Sequence, residues 1–200
     1  MHYDPRRNDH GLPRDPFKAL VAPRPIGWIS TLDTDGRANL APYSYFNAVS
    51  DHPHLVMFSS MGRKHSWANA EETGEFVCNL ATYALREAMN ITSAPAPAGE
   101  SEFELAGLER APSVVVKPPR VAASPVALEC KTVKVQPLFN LEGEEARYTM
   151  VIGEVVHIHI DDAIIKDGFV SLAAAEPIAR CGYMEYAHVS ELFKMARPAT

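Results

Sequence analysis

The segment SSMGRKHSWAN, residues 59–69, sets hydroxyls, a glycine and two adjacent cations ahead of a helical pattern. Ser59 and Ser60 close an apolar run, Arg63 and Lys64 follow Gly62, and Ser66 is placed to N-cap a helix expected over 65–74. Backbone N–H groups left free at a helix start, together with the positive end of its dipole, favour an anion. Arginine and lysine add charge-assisted hydrogen bonds, and serine hydroxyls can donate more. That chemistry suits a phosphate monoester. The plainer reading is a solvated basic loop before a routine N-cap. Upstream, NLAPYSYFNAVS (39–50) interleaves ring faces with polar edges. Tyr45 and Phe46 offer area, while Ser44 and Asn47 offer directional hydrogen bonds, as a flat polar-edged ligand requires. Ser30 and Thr31, ending an earlier strand, can reach the same pocket. Alternatively, the rings of Tyr43, Tyr45 and Phe46 fill a barrel end or a subunit contact.

His157, His159 and Asp161 alternate along one strand and so share a face, a spacing compatible with a metal. A plain structural role is the main reading for the histidines, with a barrel-surface or nicotinamide-contacting role beside it. A complete site needs a third ligand of known placement, which the spacing does not supply, so no metal is assigned. A metal-dependent hydrolase built on these three residues stays a distant alternative. The GxSxG, HExxH, P-loop and GxGxxG patterns are absent from the sequence.

These residues must be positioned by a mostly β framework. Residues 26–32 alternate in strand fashion, and DTDG (33–36) supplies an Asp-Gly hairpin turn. The chain is expected to return through Ala38–Ala41, with Pro42 marking an edge or bulge. Strands are predicted over 54–60 and 75–80, with Gly74 stopping the helix between them. A second helix is expected over 82–90, capped by Thr82, then a low-complexity loop over 93–101 and a helical turn near 103–113. Two long strands, 124–138 and 146–161, flank a turn at Gly143. In the second, Tyr148, Met150, Ile152, Val156, Ile158 and Ile160 share one face, interrupted by Glu154. Thr149, Val151, Val155, His157 and His159 share the other. Frequent hairpins and few helices predict a mainly β protein with short helices, a closed or partly closed Greek-key barrel.

The 200 residues, 46% hydrophobic and 22% charged, fit one ordinary globular domain. Residues 1–22, polar and proline-rich without an apolar core, are read as an N-terminal arm rather than a signal peptide, and 23–200 as the domain. A net charge of −6 argues against nucleic acid or an anionic membrane as partner, and no apolar run is long enough to span a bilayer. Cys78, Cys130 and Cys181 are odd in number and widely spaced, which points to reduced thiols in a cytoplasm.

The motifs RPIGWISTLDTDGRANLAPYSYFNAVSDHP, RKHSWANAEETGEFVCNL, ALECK, VIGEVVHIHID and PIARCGYMEYA, in this order, resemble the flavin reductase-like, FMN-binding split-barrel family. The resemblance runs from Arg24 to Tyr186 and implies a split β-barrel homodimer with one FMN per protomer near the subunit interface. It implies that Ser30 and Thr31 meet the ribityl or phosphate part of FMN. Ser44, Tyr45, Phe46 and Asn47 then lie beside the isoalloxazine, and Ser59, Ser60, Arg63, Lys64 and Ser66 form the phosphate segment. Arg24 and Arg180 match family arginines near the cofactor. Where the family often shows Lys-Asp-Thr, this chain has Lys64-His65-Ser66, so a hydroxyl is kept while His65 replaces an acid. The activity implied is an NAD(P)H-dependent flavin reductase, with NADH or NADPH passing hydride to flavin N5 and a monooxygenase as a partner for reduced flavin. A flavoredoxin-like, non-enzymatic FMN-binding electron carrier is the alternative. No catalytic side chain is assigned, since the cofactor carries the redox chemistry.

Overall fold

The strand alternation and the Asp-Gly turn generate the first hairpin of the fold. A computed structural model describes residues 1–96 and 100–198. The N-terminal segment carries one short helix, α1 (Phe17–Leu20), and leads through β1 (Arg24–Pro25) into β2 (Gly27–Leu32) and β3 (Ala38–Tyr43). Between them Asp33 accepts hydrogen bonds from the N–H groups of Asp35 and Arg37, and Gly36 takes φ +81°, a value glycine tolerates without strain. β3 pairs only with β2, so Pro42 sits on an edge strand where its missing N–H is harmless.

The stretch 39–50 is not one strand. It breaks at Ser44–Tyr45, and β4 (Phe46–Asp51) then pairs with β5 (His54–Met61). After α2 (His65–Glu72) come β6 (Glu75–Leu80), α3 (Arg86–Ile91), α4 (Glu102–Leu105) and a small hairpin of β7 (Arg110–Ala111) and β8 (Arg120–Val121). The long ribbon of β9 (Val126–Phe139) and β10 (Glu145–Ile160) turns at Gly143, as expected. Beyond it lie β11 (Ile165–Lys166), β12 (Phe169–Val170), α5 (Leu172–Ala175), β13 (Ile178–Arg180) and β14 (Tyr186–His188). Residues 97–99 of the loop expected over 93–101 fall outside the described residues.

The main sheet has seven antiparallel strands in the order β3-β2-β6-β9-β10-β5-β4, and a second sheet joins β1, β13 and β14. β3 and β4 occupy opposite edges of the large sheet, yet only Ser44 and Tyr45 separate them in sequence. The sheet must therefore curl until its edges nearly meet. Beside the crossing, Ser59 N–H donates to the Tyr45 carbonyl at 2.8 Å, extending the β4–β5 ladder, and the Tyr43 and Phe58 rings meet at 4.9 Å. Ile29, Tyr43, Val56, Phe58, Phe76, Cys78, Cys130 and Val151 fill the interior, and Ala70 of α2 packs with them. On the outer side of β2 and β3, Trp28, Leu40, Met89 and Phe103 form a second core under α3 and α4.

Helix starts depart from expectation. Ser66 lies inside α2, whose N-cap is Lys64, and its hydroxyl accepts a hydrogen bond from Asn39 instead of capping. Thr82 does not cap α3, because its backbone bridges to Pro177; Leu85 holds the N-cap and the helix runs Arg86–Ile91. On β10 the apolar alternation of Ile158 and Ile160 faces outward, and Thr149, Val151 and Gly153 face the interior. Gly153 has no room for a side chain: a Cβ there meets the ring of fully buried Phe76 at 2.4 Å and Cys130 Cβ at 3.1 Å. Gly153→Ala is expected to destabilise the protein by about 1–3 kcal/mol, the usual cost of overpacking, read as a lowered midpoint in urea unfolding with unchanged slope.

Candidate functional site

The seam between β3 and β4 opens into a cleft of about 1370 Å³. One wall is the strand crossing itself, with Tyr43, Ser44 and Tyr45; a second is the end of β5 and the start of α2, with Ser59, Arg63, Lys64, His65 and Ser66. Tyr148 of β10, Glu102 of α4, and the C-terminal hairpin around Arg180 complete it, and Asp15 and Lys18 of the N-terminal segment reach its mouth.

At the α2 end the groups are arranged for an anion. No side chain caps this eight-residue helix, and the residues at its start, Lys64, His65 and Ser66, line the cleft. Ser59 Oγ is buried and has no hydrogen-bond partner among the described residues, which is rare unless a ligand supplies one. Tyr43 OH, also buried, lies beside the Ser60 and Ser66 hydroxyls without a well-formed hydrogen bond to either. Asn39 donates to Ser66 Oγ at 2.8 Å, leaving the serine proton free to point elsewhere. Burial pushes the Tyr43 phenol above its usual range, so it stays a neutral donor. Arg63 is less free than its sequence position suggests. Its guanidinium pairs with Glu71 at 3.0 Å and Glu72 at 2.9 Å on the exposed side of α2, and an anion must compete with both.

Around the strand crossing the cleft is aromatic. Tyr45 and Tyr148 meet edge-on at 5.4 Å, and burial, followed by the neighbouring Tyr148, raises the Tyr45 phenol. Arg24, almost fully buried, donates to the carbonyls of Lys18, Val21 and Cys181, and its charge lies 5.9 Å from the Tyr45 ring centre. It thereby pins the N-terminal segment and the C-terminal hairpin beside the cleft. Arg180, its register partner across β1 and β13, stacks over Tyr186 and donates to the Tyr183 carbonyl.

Five expected site residues do not line this cleft. Ser30 is fully buried and donates to the Pro119 carbonyl, and Thr31 accepts from Asn69. Ser60 donates to the Gly62 carbonyl. Phe46 turns into the barrel against Gly27, where a Cβ would lie 2.4 Å from its ring. Asn47 is exposed and its amide oxygen accepts from the N–H of Ala48. On β5 alternation turns Ser60 away from the cleft that Ser59 lines, whereas β2 and β4 contribute no residue to the cleft at all. Tyr43, Asn39, Glu102 and Tyr148 line the cleft without having been singled out for it. Tyr43 alone carried a readable signal, as a tyrosine two residues before Tyr45.

The histidines of β10 lie elsewhere. Asp161 does not join them, since its carboxylate accepts from Ala163 N–H and caps a turn of 3-10 helix. The group that meets them is Glu129 of β9, fully buried, 2.5 Å from His159 Nε2. Glu129 also accepts the N–H groups of Val114, Val115 and Val116 at 2.7, 2.7 and 3.0 Å, strapping that loop to the barrel. Burial pushes this carboxyl up, but the His159 ring and the three N–H groups outweigh it and hold it at about 2.

A curled antiparallel barrel with a cleft at its seam, an uncapped helix start and an aromatic flank defines a split-barrel class of protein. Residues 20–172 match the family model described as flavin reductase like domain. A functionally uncharacterized protein of Halalkalibacterium halodurans is 38% identical over 184 residues, covering 89% of this chain and 87% of that one. Among solved structures, nitrilotriacetate monooxygenase component B from Bacillus cereus is 32% identical with a TM-score of 0.87, covering 98% of both chains. A split-barrel-domain protein from Shewanella frigidimarina is 26% identical with a TM-score of 0.85, covering 99% of this chain and 100% of that one. The chain belongs to the flavin reductase-like family.

Because the folded Glu129 carboxyl, near 2, lies below its ordinary 4.5, the stability it contributes is complete above pH 4.5 and is lost as the pH falls toward 2. Glu129→Ala is expected to cost about 3–5 kcal/mol at neutral pH, since it strands three N–H groups and a histidine. Glu129→Gln should flatten the acid limb of stability in urea unfolding followed as a function of pH.

Proposed function

We propose that this protein is an FMN-binding oxidoreductase, an NAD(P)H-dependent flavin reductase working as a homodimer. The observation that carries the reading is the buried, unpartnered Ser59 hydroxyl, with Tyr43 OH close by, opening on a cleft beside an uncapped helix start. The residues present fit the cofactor. Ser59, Lys64, Ser66 and the first N–H groups of α2 hold the phosphate, with Arg63 adding charge once it leaves Glu71 and Glu72. Ser44 and Tyr45 lie along the isoalloxazine, and Arg24 and Arg180 brace the wall behind it. Bound flavin would supply the redox chemistry, accepting reducing equivalents from NADH or NADPH for an acceptor. The chain itself binds, orients and shields; Tyr45 and Tyr148 exclude water from one flank, and the open side admits the nicotinamide.

The similarity to a protein named as component B of a monooxygenase supports a monooxygenase as the acceptor of reduced flavin. Free Cys78, Cys130 and Cys181 fit a reducing cytoplasm, and no helix among the described residues is long and apolar enough to cross a membrane. Homodimerisation is supported by the outward apolar residues Val133, Ile158 and Ile160 of the ribbon, exposed by 42–58%.

The Ser59→Ala/Lys64→Ala double variant is expected to weaken FMN binding by about 10- to 100-fold, measured by quenching of flavin fluorescence. An unchanged dissociation constant refutes the phosphate assignment. With FMN bound, anaerobic addition of NADH or NADPH should bleach the yellow protein; failure of both, with FMN affinity intact, assigns the chain to electron carriers.

A further inference from the structure

On the β9–β10 ribbon, away from the cleft, a buried carboxylate faces two imidazoles that flavin binding does not use. Glu129 lies directly opposite His157 in the antiparallel register, and His159 follows two residues on along the same face. The two rings meet edge to face at 4.9 Å. One carboxylate oxygen and one nitrogen from each ring all lie within 4.8 Å of one another. We propose that Glu129, His157 and His159 bind one divalent transition-metal ion of the zinc type, which locks the 114–116 strap to the β9–β10 ribbon.

The donor set decides the class of ion. Two imidazoles and one carboxylate suit borderline cations such as Zn²⁺, Co²⁺ or Ni²⁺; Ca²⁺ and Mg²⁺ prefer all-oxygen shells. Bonds of about 2.0–2.2 Å in a tetrahedral site place ligand atoms about 3.3–3.5 Å apart. The His159–Glu129 pair, at 2.5 Å, must open slightly and His157 must close. Both histidines are only partly buried, so side-chain rotation supplies the movement, and a fourth position stays open to water.

The carboxylate can serve without releasing the strap. An ionised carboxylate offers about four acceptor sites. Three take the N–H groups of Val114, Val115 and Val116, and the fourth takes the His159 ring N–H. Metal binding replaces only that last bond. With its ring proton on Nδ1, His159 turns the Nε2 lone pair to the cation. The three N–H groups then orient the ligating carboxylate, as outer partners do in metal sites. The cation also sets a compensating charge beside a buried carboxylate.

Tag-free protein, stripped with EDTA and dialysed, can be titrated with Zn²⁺ against a chromophoric chelator. One equivalent per chain and a raised Tm are expected. His157→Ala leaves all four Glu129 hydrogen bonds in place, so it should fold, keep its FMN affinity and lose at least about 10-fold in zinc affinity. His159→Gln retains an N–H for Glu129 but no imidazole, and should lose zinc likewise. Wild-type protein that takes up no zinc, or variants that keep the full equivalent at wild-type affinity, overturn the site. Because FMN titration reads the other end of the molecule, failure here leaves the flavin reading standing, and the reverse.

Discussion

The two-residue crossing from β3 to β4 is the constraint on which the rest of the fold depends. Ser44 and Tyr45 span at most about 3.3–3.6 Å per residue, yet the strands they join are the first and last of a seven-stranded sheet. A flat or gently twisted sheet of that size holds its edges tens of ångströms apart, at about 4.8 Å per strand spacing. Only a sheet rolled onto itself satisfies the link. The absence of a side chain at Gly27 lets Phe46 enter beside β2, and at Gly153 it leaves space for Phe76. Hydrophobic burial fills the roll, and the crossing decides that there is a roll to fill.

The same crossing makes the cleft. At the seam the chain passes from one edge strand to the other, and Tyr43, Ser44 and Tyr45 line the cleft there. The start of α2 sits against this seam because Asn69 reaches Thr31 and Asn39 reaches Ser66, tying the helix to the first hairpin. Anion-favouring N–H groups and aromatic surface are thereby joined by geometry rather than by proximity in sequence. Arg24 does similar work at the rim, where three carbonyls from two distant segments converge on one buried guanidinium.

Glu129 supplies a second organising contact, independent of the first. One buried carboxylate collects three consecutive N–H groups of a loop that has no regular ladder of its own, and so satisfies backbone that burial would otherwise penalise. The ALECK motif containing it reads as an ordinary strand. Its partners lie 13 to 30 positions away, in a loop and across a strand pair, where residue spacing gives no hint of them.

Local patterns in the sequence were sufficient for the hairpin at 33–36, the strand over 75–80, the glycine stop at 74, the long ribbon around Gly143 and the placement of Pro42 on an edge, because each depends on neighbours within a few residues. The concentration of Ser59, Lys64 and Ser66 beside a helix start was legible for the same reason. Tertiary structure alone decided that residues 39–50 divide between two edges, that Ser30, Thr31, Phe46, Asn47 and Ser60 turn away from the cleft, and that Arg63 spends its charge on Glu71 and Glu72. It also decided that Glu129, not Asp161, faces the histidines. The direction a strand residue faces depends on which neighbour its strand finds, and strand pairing is a long-range choice that a local pattern does not encode.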